Sequence, residues 1–147
     1  MASSTTDKKI YRIIDVNINR LREALRVIEE VVRFILDDAA GSRAVKTIRH
    51  RFDATVRSLA VGIEEIEAAR DARGDVGRAH NIPSEMSKKS YRDILNANLH
   101  RAEESLRVLE EFLKLYDGGA SARCKELRFL TYELEASLCR RGAKGNR

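Results

Sequence analysis

Two stretches of this chain, 17–30 and 98–111, carry one polar pattern twice, and no other feature restricts the fold as tightly. At an offset of 81 residues, Asn17, Arg20, Glu23, Leu25, Arg26, Val27, Glu29 and Glu30 meet the identical residues Asn98, Arg101, Glu104, Leu106, Arg107, Val108, Glu110 and Glu111, eight of fourteen positions. Further along, Lys46, Ile48 and Arg49 correspond to Lys125, Leu127 and Arg128. A chain of 147 residues holding two such units is a duplication of one structural element.

That element is a helical hairpin. Ile14, Ile18, Leu21, Leu25, Ile28, Val32 and Ile35 recur at steps of three and four, which predicts an amphipathic helix. Asp37 to Ser42 suits a turn. Val45, Ile48, Phe52, Val56, Leu59, Ile63 and Ile66 then predict a second helix, which Gly62 bends without ending. Between Ala69 and Ser87 the period fails, and Gly74, Gly77 and Pro83 collect with Asp71, Asp75, Asn81 and Ser84 in one long loop. The period resumes from Tyr91 to Leu113, halts at Asp117, Gly118 and Gly119, and returns from Cys124 to Leu138. Short turns force antiparallel neighbours, so the expected fold is all-α: four long helices as two repeated hairpins in a pseudo-two-fold bundle. The expected boundaries are a disordered tail at 1–9 and one helical domain at 10–139, with repeat one at 10–69, the loop at 70–87 and repeat two at 88–139. A basic disordered tail at 140–147 follows.

Composition narrows the function. The formal charge is +5, but Arg140, Arg141, Lys144 and Arg147 supply four of those charges in the C-terminal tail. Positive residues elsewhere alternate with Glu and Asp along the helices, a pattern of solvated faces that argues against a nucleic-acid partner. Cys124 and Cys139 have no partner at metal-ligand spacing and read as reduced thiols. No stretch approaches the roughly 18 apolar residues of a membrane span, so the expectation is a cytoplasmic protein without a membrane partner. Walker A, kinase Gly-rich and Gly-x-Ser-x-Gly signatures are all missing from the sequence, which excludes the standard nucleotide and hydrolase motifs. His50 and His100 fall at helical positions that suit structural roles, and His80 lies in the loop.

Two polar features remain as candidate sites. A repeat kept only for packing would preserve apolar positions and let charges drift, yet here the charges match best. Asn17 falls on the apolar face, with Arg20, Glu23, Val27 and Glu30 along one flank, and Asn98, Arg101, Glu104, Val108 and Glu111 repeat the strip. Spacing alone favours a structural explanation, in which Arg26 pairs with Glu30 and Arg107 with Glu111 at i,i+4. The competing explanation makes the strip the wall of a charged interior cleft. The loop Ala69-Arg-Asp-Ala-Arg-Gly-Asp-Val-Gly77 combines carboxylates, guanidinium groups and glycines, which suits a phosphorylated ligand. Glycines let backbone N–H groups approach phosphate, arginines bind it in bidentate fashion, and paired aspartates hold Mg²⁺. On composition alone, an ordinary turn-rich connection explains the loop equally well.

The repeated Asn-x-x-Arg-x-x-Glu-x-Leu-Arg-Val-[Ile/Leu]-Glu-Glu, together with the 69–77 loop, resembles the hydroxymethylpyrimidine phosphate kinase of thiamine biosynthesis. That family occurs alone or fused ahead of thiamine-phosphate synthase, and the resemblance covers roughly Ile10 to Leu138. It implies a standalone enzyme that phosphorylates hydroxymethylpyrimidine phosphate to the diphosphate with ATP and Mg²⁺. On this resemblance Arg20, Arg101, Arg107 and Asp71 are the expected catalytic residues. Asn17, Glu23, Arg26, Arg49, Arg70, Gly74, Gly77, Asn98, Glu104 and Arg128 are expected to bind substrate, and Asp71 and Asp75 to carry the metal. A homodimer is expected to cover Arg26 and Arg107, which the helical projection turns toward solvent. Two other functions compete with the kinase: a noncatalytic helical module that binds a phosphorylated ligand or a protein, and a metal-free mutase of the chorismate type.

Overall fold

A computed structural model of the chain describes residues 2–79 and 87–144, with five helices and no strand among them. They are α1 (Thr5–Phe34), α2 (Ala39–Arg57), α3 (Ile63–Ala68), α4 (Tyr91–Leu113) and α5 (Gly118–Lys144). The four long helices form a closed square in which α1 touches α2 and α4, and α5 touches α2 and α4. α1 and α4 are antiparallel, since Tyr116 just beyond the end of α4 donates its hydroxyl to Asp7 Oδ1 at the start of α1, at 2.7 Å. Leu21, Leu25 and Ile28 of α1 meet Leu99, Leu106 and Leu109 of α4 in one core, closed by Val45, Phe52 and Leu127. Burying a Leu or Ile side chain stabilises by roughly 1.5–3 kcal/mol, so this seam is the main source of stability.

Local chemistry moves several boundaries. α1 begins at Thr5, inside the stretch expected to be a disordered tail, because Ser4 and Asp7 form a capping box. The Asp7 N–H donates to Ser4 Oγ at 3.0 Å and the Ser4 N–H to Asp7 Oδ2 at 3.1 Å. Caps have no apolar period, so periodicity starts the helix too late. At the other end α5 continues to Lys144 and carries Arg141 to an ion pair with Asp38, so 140–144 is helix where a basic tail was expected. Residues 145–147 lie outside the described residues, as do His80, Asn81, Pro83 and Ser84 of the loop.

The long second helix of repeat one is also divided. α2 ends at Arg57, and Gly62 is the N-cap of a separate six-residue α3. The agent is distant in sequence: the Ala60 N–H donates to Asp117 Oδ2 at 3.0 Å, so the turn between the repeat-two helices captures the backbone of repeat one. α3 then folds back and seats Ile66, fully buried, against α1.

Asp38 and Asp117 cap α2 and α5 equivalently, accepting from Gly41 N and Ala120 N, each at 2.9 Å. Gly41 is required there, since a Cβ would come within 2.8 Å of Asp38 Oδ2 and 2.9 Å of Val32 Cγ1. The Ala120 and Ala60 N–H groups hold the Asp117 carboxyl below the usual carboxylate range. A folded pKa below the unfolded value of about 3.9 gives stability that is complete above that pH and lost as pH falls through the folded value. Asp117→Ala is therefore expected to cost about 1–2 kcal/mol at pH 7 in urea unfolding, with the deficit shrinking below about pH 4. An equal deficit at pH 7 and pH 3 would contradict this.

Candidate functional site

The expected site residues fall into three places. The first is a recess of about 480 Å³ where the N-terminal half of α1 meets the segment that leaves α3. Arg70 is fixed by the last turn of α3, its N–H donating to Glu67 O at 3.0 Å. Its guanidinium Nε and Nη2 then clasp Asp15 Oδ2 and Oδ1 of α1, both at 2.7 Å. Asp15 is buried within the apolar stripe of α1, so this bidentate pair fastens the loop to the helix. Arg12 Nη2 adds a bond to Asp71 O at 3.3 Å.

Beyond Arg70 the chain folds into two small turns. Asp71 Oδ1 accepts from Gly74 N at 2.8 Å, and Asp75 Oδ1 accepts from Gly77 N at 2.9 Å. A Cβ at position 74 would meet the Asp71 carboxylate, so a larger residue there would push that side chain out of its turn bond. The Gly74 and Gly77 N–H groups, expected to approach phosphate, are thus engaged within the loop. Each aspartate keeps its second oxygen outside these turn bonds, and both line the recess. Among the described residues no third His, Cys or carboxylate stands within ligand range of the two.

Arg20 and Lys9 also line this recess, and neither side chain makes a hydrogen bond or ion pair among the described residues. Lys9, Arg12 and Arg20 therefore place positive charge on a concave surface beside Asp71 and Asp75. Such an arrangement attracts a polyanion and offers carboxylate oxygens to a cation that travels with it.

The second place is a pair of buried locks, one in each hairpin. Glu29 of α1 is buried and paired with Arg49 of α2, with Arg26 at 3.6 Å from Glu29 and 3.9 Å from Glu30. Glu110 of α4 is buried and paired with Arg128 of α5 at 2.8 Å, with Arg107 at 3.2 Å from both Glu110 and Glu111. Arg26, Arg49, Arg107 and Arg128, expected to contact substrate, thus each engage a buried carboxylate away from the recess. This pairing gives Arg26 and Arg107 a role within one chain, without recourse to a dimer. Glu29 and Glu110 were absent from the expected site. Their signal was present all along, as polar identities beside the apolar stripe of both copies.

The third place is the strip expected to wall an interior cleft. Asn17 is buried and Asn98 half-buried, but each amide turns back on its own helix, donating to Ile13 O at 2.9 Å and Ile94 O at 2.8 Å. Glu23, Arg101 and Glu104 are exposed and lie outside the recess. Arg20 alone of this strip joins the recess. The interior between α1 and α4 is filled by leucine and isoleucine, which leaves no room for a charged cleft. A larger recess of about 680 Å³ lies at the opposite end of α1, between Leu36, Tyr91, Leu95, Leu99 and Leu138, and holds none of the expected residues.

A duplicated helical bundle with an anion-attracting recess is the class of protein that this fold and site define. The chain belongs to the ThiD2 family, whose family model matches residues 12–137. It is 40% identical over 129 residues to a thiamine-phosphate synthase of Nostoc punctiforme, covering 88% of this chain and 35% of that protein. Similar proteins of the same name occur in Synechocystis sp., 40% identical over 129 residues with 88% and 36% covered, and in Rhodopirellula baltica, 32% identical over 149 residues with 99% and 39% covered. The chain thus spans little more than a third of the length of these curated relatives. No solved structure matches it. Among the described residues, no helix is long and apolar enough to cross a membrane.

Proposed function

We propose that this chain acts in thiamine biosynthesis as an ATP-dependent kinase that converts hydroxymethylpyrimidine phosphate to the diphosphate. The observation that carries this reading is the recess on α1, where cations without protein partners stand beside two aspartates. Family membership and relatives named thiamine-phosphate synthase support the pathway.

Transfer between two phosphorylated reactants demands alignment and charge neutralisation more than covalent participation by the protein. Arg20 is free to take two oxygens of one phosphate in bidentate fashion, and Lys9 and Arg12 add charge at the rim. Arg70 acts through Asp15 to hold the loop in place. Mg²⁺ is commonly bound by one or two carboxylates together with substrate phosphates, so the second oxygens of Asp71 and Asp75 fit it. When bound, that ion supplies charge neutralisation for the phosphates. The acceptor is already a phosphate oxygen, so no dedicated general base is required.

Purified chain with ATP, Mg²⁺ and hydroxymethylpyrimidine phosphate is expected to yield ADP and the diphosphate in equal amounts, measured by coupled ADP release and product chromatography. Absence of both products at millimolar substrate would remove the proposal.

A further inference from the structure

On the outer side of the α4–α5 hairpin, His100 and Glu103 stand one turn apart on α4 and face Glu135 of α5. One ligand atom from each lies within 4.8 Å of the other two, and among the described residues no other group of His, Cys, Asp or Glu gathers this closely. His100 Nε2 and Glu135 Oε1 are 3.2 Å apart. Ligands held at about 2.0–2.1 Å on a tetrahedral cation sit about 3.3 Å from one another, so this edge already has the spacing of a coordination shell.

A second observation concerns Glu103 alone. Its Oε1 is sealed from solvent and has no hydrogen-bond partner among the described residues. Buried acceptors are nearly always satisfied, and the group facing this one is another carboxylate, which has no proton to give when ionised.

The duplication supplies a third, independent observation. The repeat-one counterparts of His100, Glu103 and Glu135 are Asn19, Arg22 and Val56. Arg22 forms an ion pair with Asp53 at 3.2 Å, so repeat one places a guanidinium where repeat two has Glu103. At these positions repeat two carries two carboxylates and an imidazole in place of that cation. The arrangement offers an imidazole nitrogen and carboxylate oxygens to a positive ion.

We propose that His100, Glu103 and Glu135 bind a divalent transition-metal cation of the zinc class, separate from the recess on α1, and that it staples α4 to α5. One imidazole nitrogen and two carboxylate oxygens suit Zn²⁺ or Co²⁺ better than Mg²⁺, which prefers oxygen alone. Three protein ligands leave the remaining position to water.

The test uses tag-free full-length chain, stripped with EDTA and dialysed, and titrated with Zn²⁺ and with Co²⁺. One equivalent is expected to bind, raising the thermal midpoint by roughly 5 °C at saturating metal. Co²⁺ is expected to show visible absorption typical of a mixed nitrogen and oxygen shell. Glu103→Gln relieves the carboxylate repulsion, so it is expected to raise the midpoint in EDTA and to abolish the metal-dependent increment. These opposite signs separate a lost ligand from a damaged fold. Absence of stoichiometric binding to the parent chain at 1 mM metal, or a full increment retained in Glu103→Gln and Glu135→Gln, would overturn the proposal.

Discussion

Arg128→Ala is expected to destabilise the chain by about 3–5 kcal/mol, the range for removing one partner of a buried ion pair. Arg128 Nη2 and Nε donate to Glu110 Oε2 at 2.8 and 3.1 Å, and Nη1 donates to Tyr132 Oη at 3.1 Å. Its side chain is 13% exposed and that of Glu110 only 7%. Removing the guanidinium leaves a carboxylate shut between α4 and α5, with only the more exposed Arg107 nearby. Two aromatic rings that lie 5.3 and 5.7 Å from the guanidinium carbon lose contact as well. Arg49→Ala, the repeat-one equivalent, is expected to lose less, because the Arg49 side chain is 33% exposed and water can reach what it leaves behind. Replacing Glu110 and Arg128 together with Leu and Met is expected to restore most of the loss, since the penalty lies in the unpaired charge. Urea unfolding of the three variants beside the parent checks the ordering, and a loss below about 1 kcal/mol for Arg128→Ala would show that the lock is not buried in solution.

The largest expected effect on activity belongs to Arg20. For the proposed kinase reaction, Arg20→Ala is expected to lower kcat/KM by about a hundred- to a thousand-fold, the scale for losing one preorganised charge at a transferring phosphoryl group. Because the Arg20 side chain makes no hydrogen bond or ion pair among the described residues, stability is expected to stay within about 0.5 kcal/mol of the parent. Its repeat partner Arg101 is the matched control. Arg101 occupies the same place in the motif but lies outside the recess, so Arg101→Ala is expected to change turnover by less than about threefold. Equal losses in the two variants would mean that the site follows the repeat axis and not the recess. Steady-state kinetics with urea midpoints on the same preparations distinguish these outcomes.

The contrast between Arg20 and Arg101 shows what a sequence of this kind reveals. The all-helical class and the four long helices are legible because apolar side chains recur with the helical period. The division of α2 from α3 is not, since its cause is a carboxylate, Asp117, that sits 57 positions from the backbone it captures. Arg20, Arg70, Asp71 and Asp75 are identifiable by chemistry and do come together in the recess. Lys9 and Arg12 are missed, as they precede the repeated motif. Asp15 had a readable signal: a carboxylate between Tyr11 and Ile18 on the buried stripe has to find a cation, and Arg70 is that cation. The pairs of Arg26 with Glu30 and Arg107 with Glu111 are legible at i,i+4 spacing, whereas the buried partners Glu29 and Glu110 are not.

The packing of α1 along α4 has a consequence for how such a chain could have arisen. These helices belong to different copies of the repeat, yet α1 packs more extensively on α4 than on its own hairpin partner α2. A lone hairpin would expose that whole leucine and isoleucine seam to water, so a single-copy ancestor would have been stable only as two associated chains. A connection such as 70–87 replaces a concentration-dependent encounter of two hairpins with an intramolecular one, at about millimolar effective concentration for a short flexible linker. Freed from symmetry, one half could keep a cationic recess at its end while the other became a scaffold.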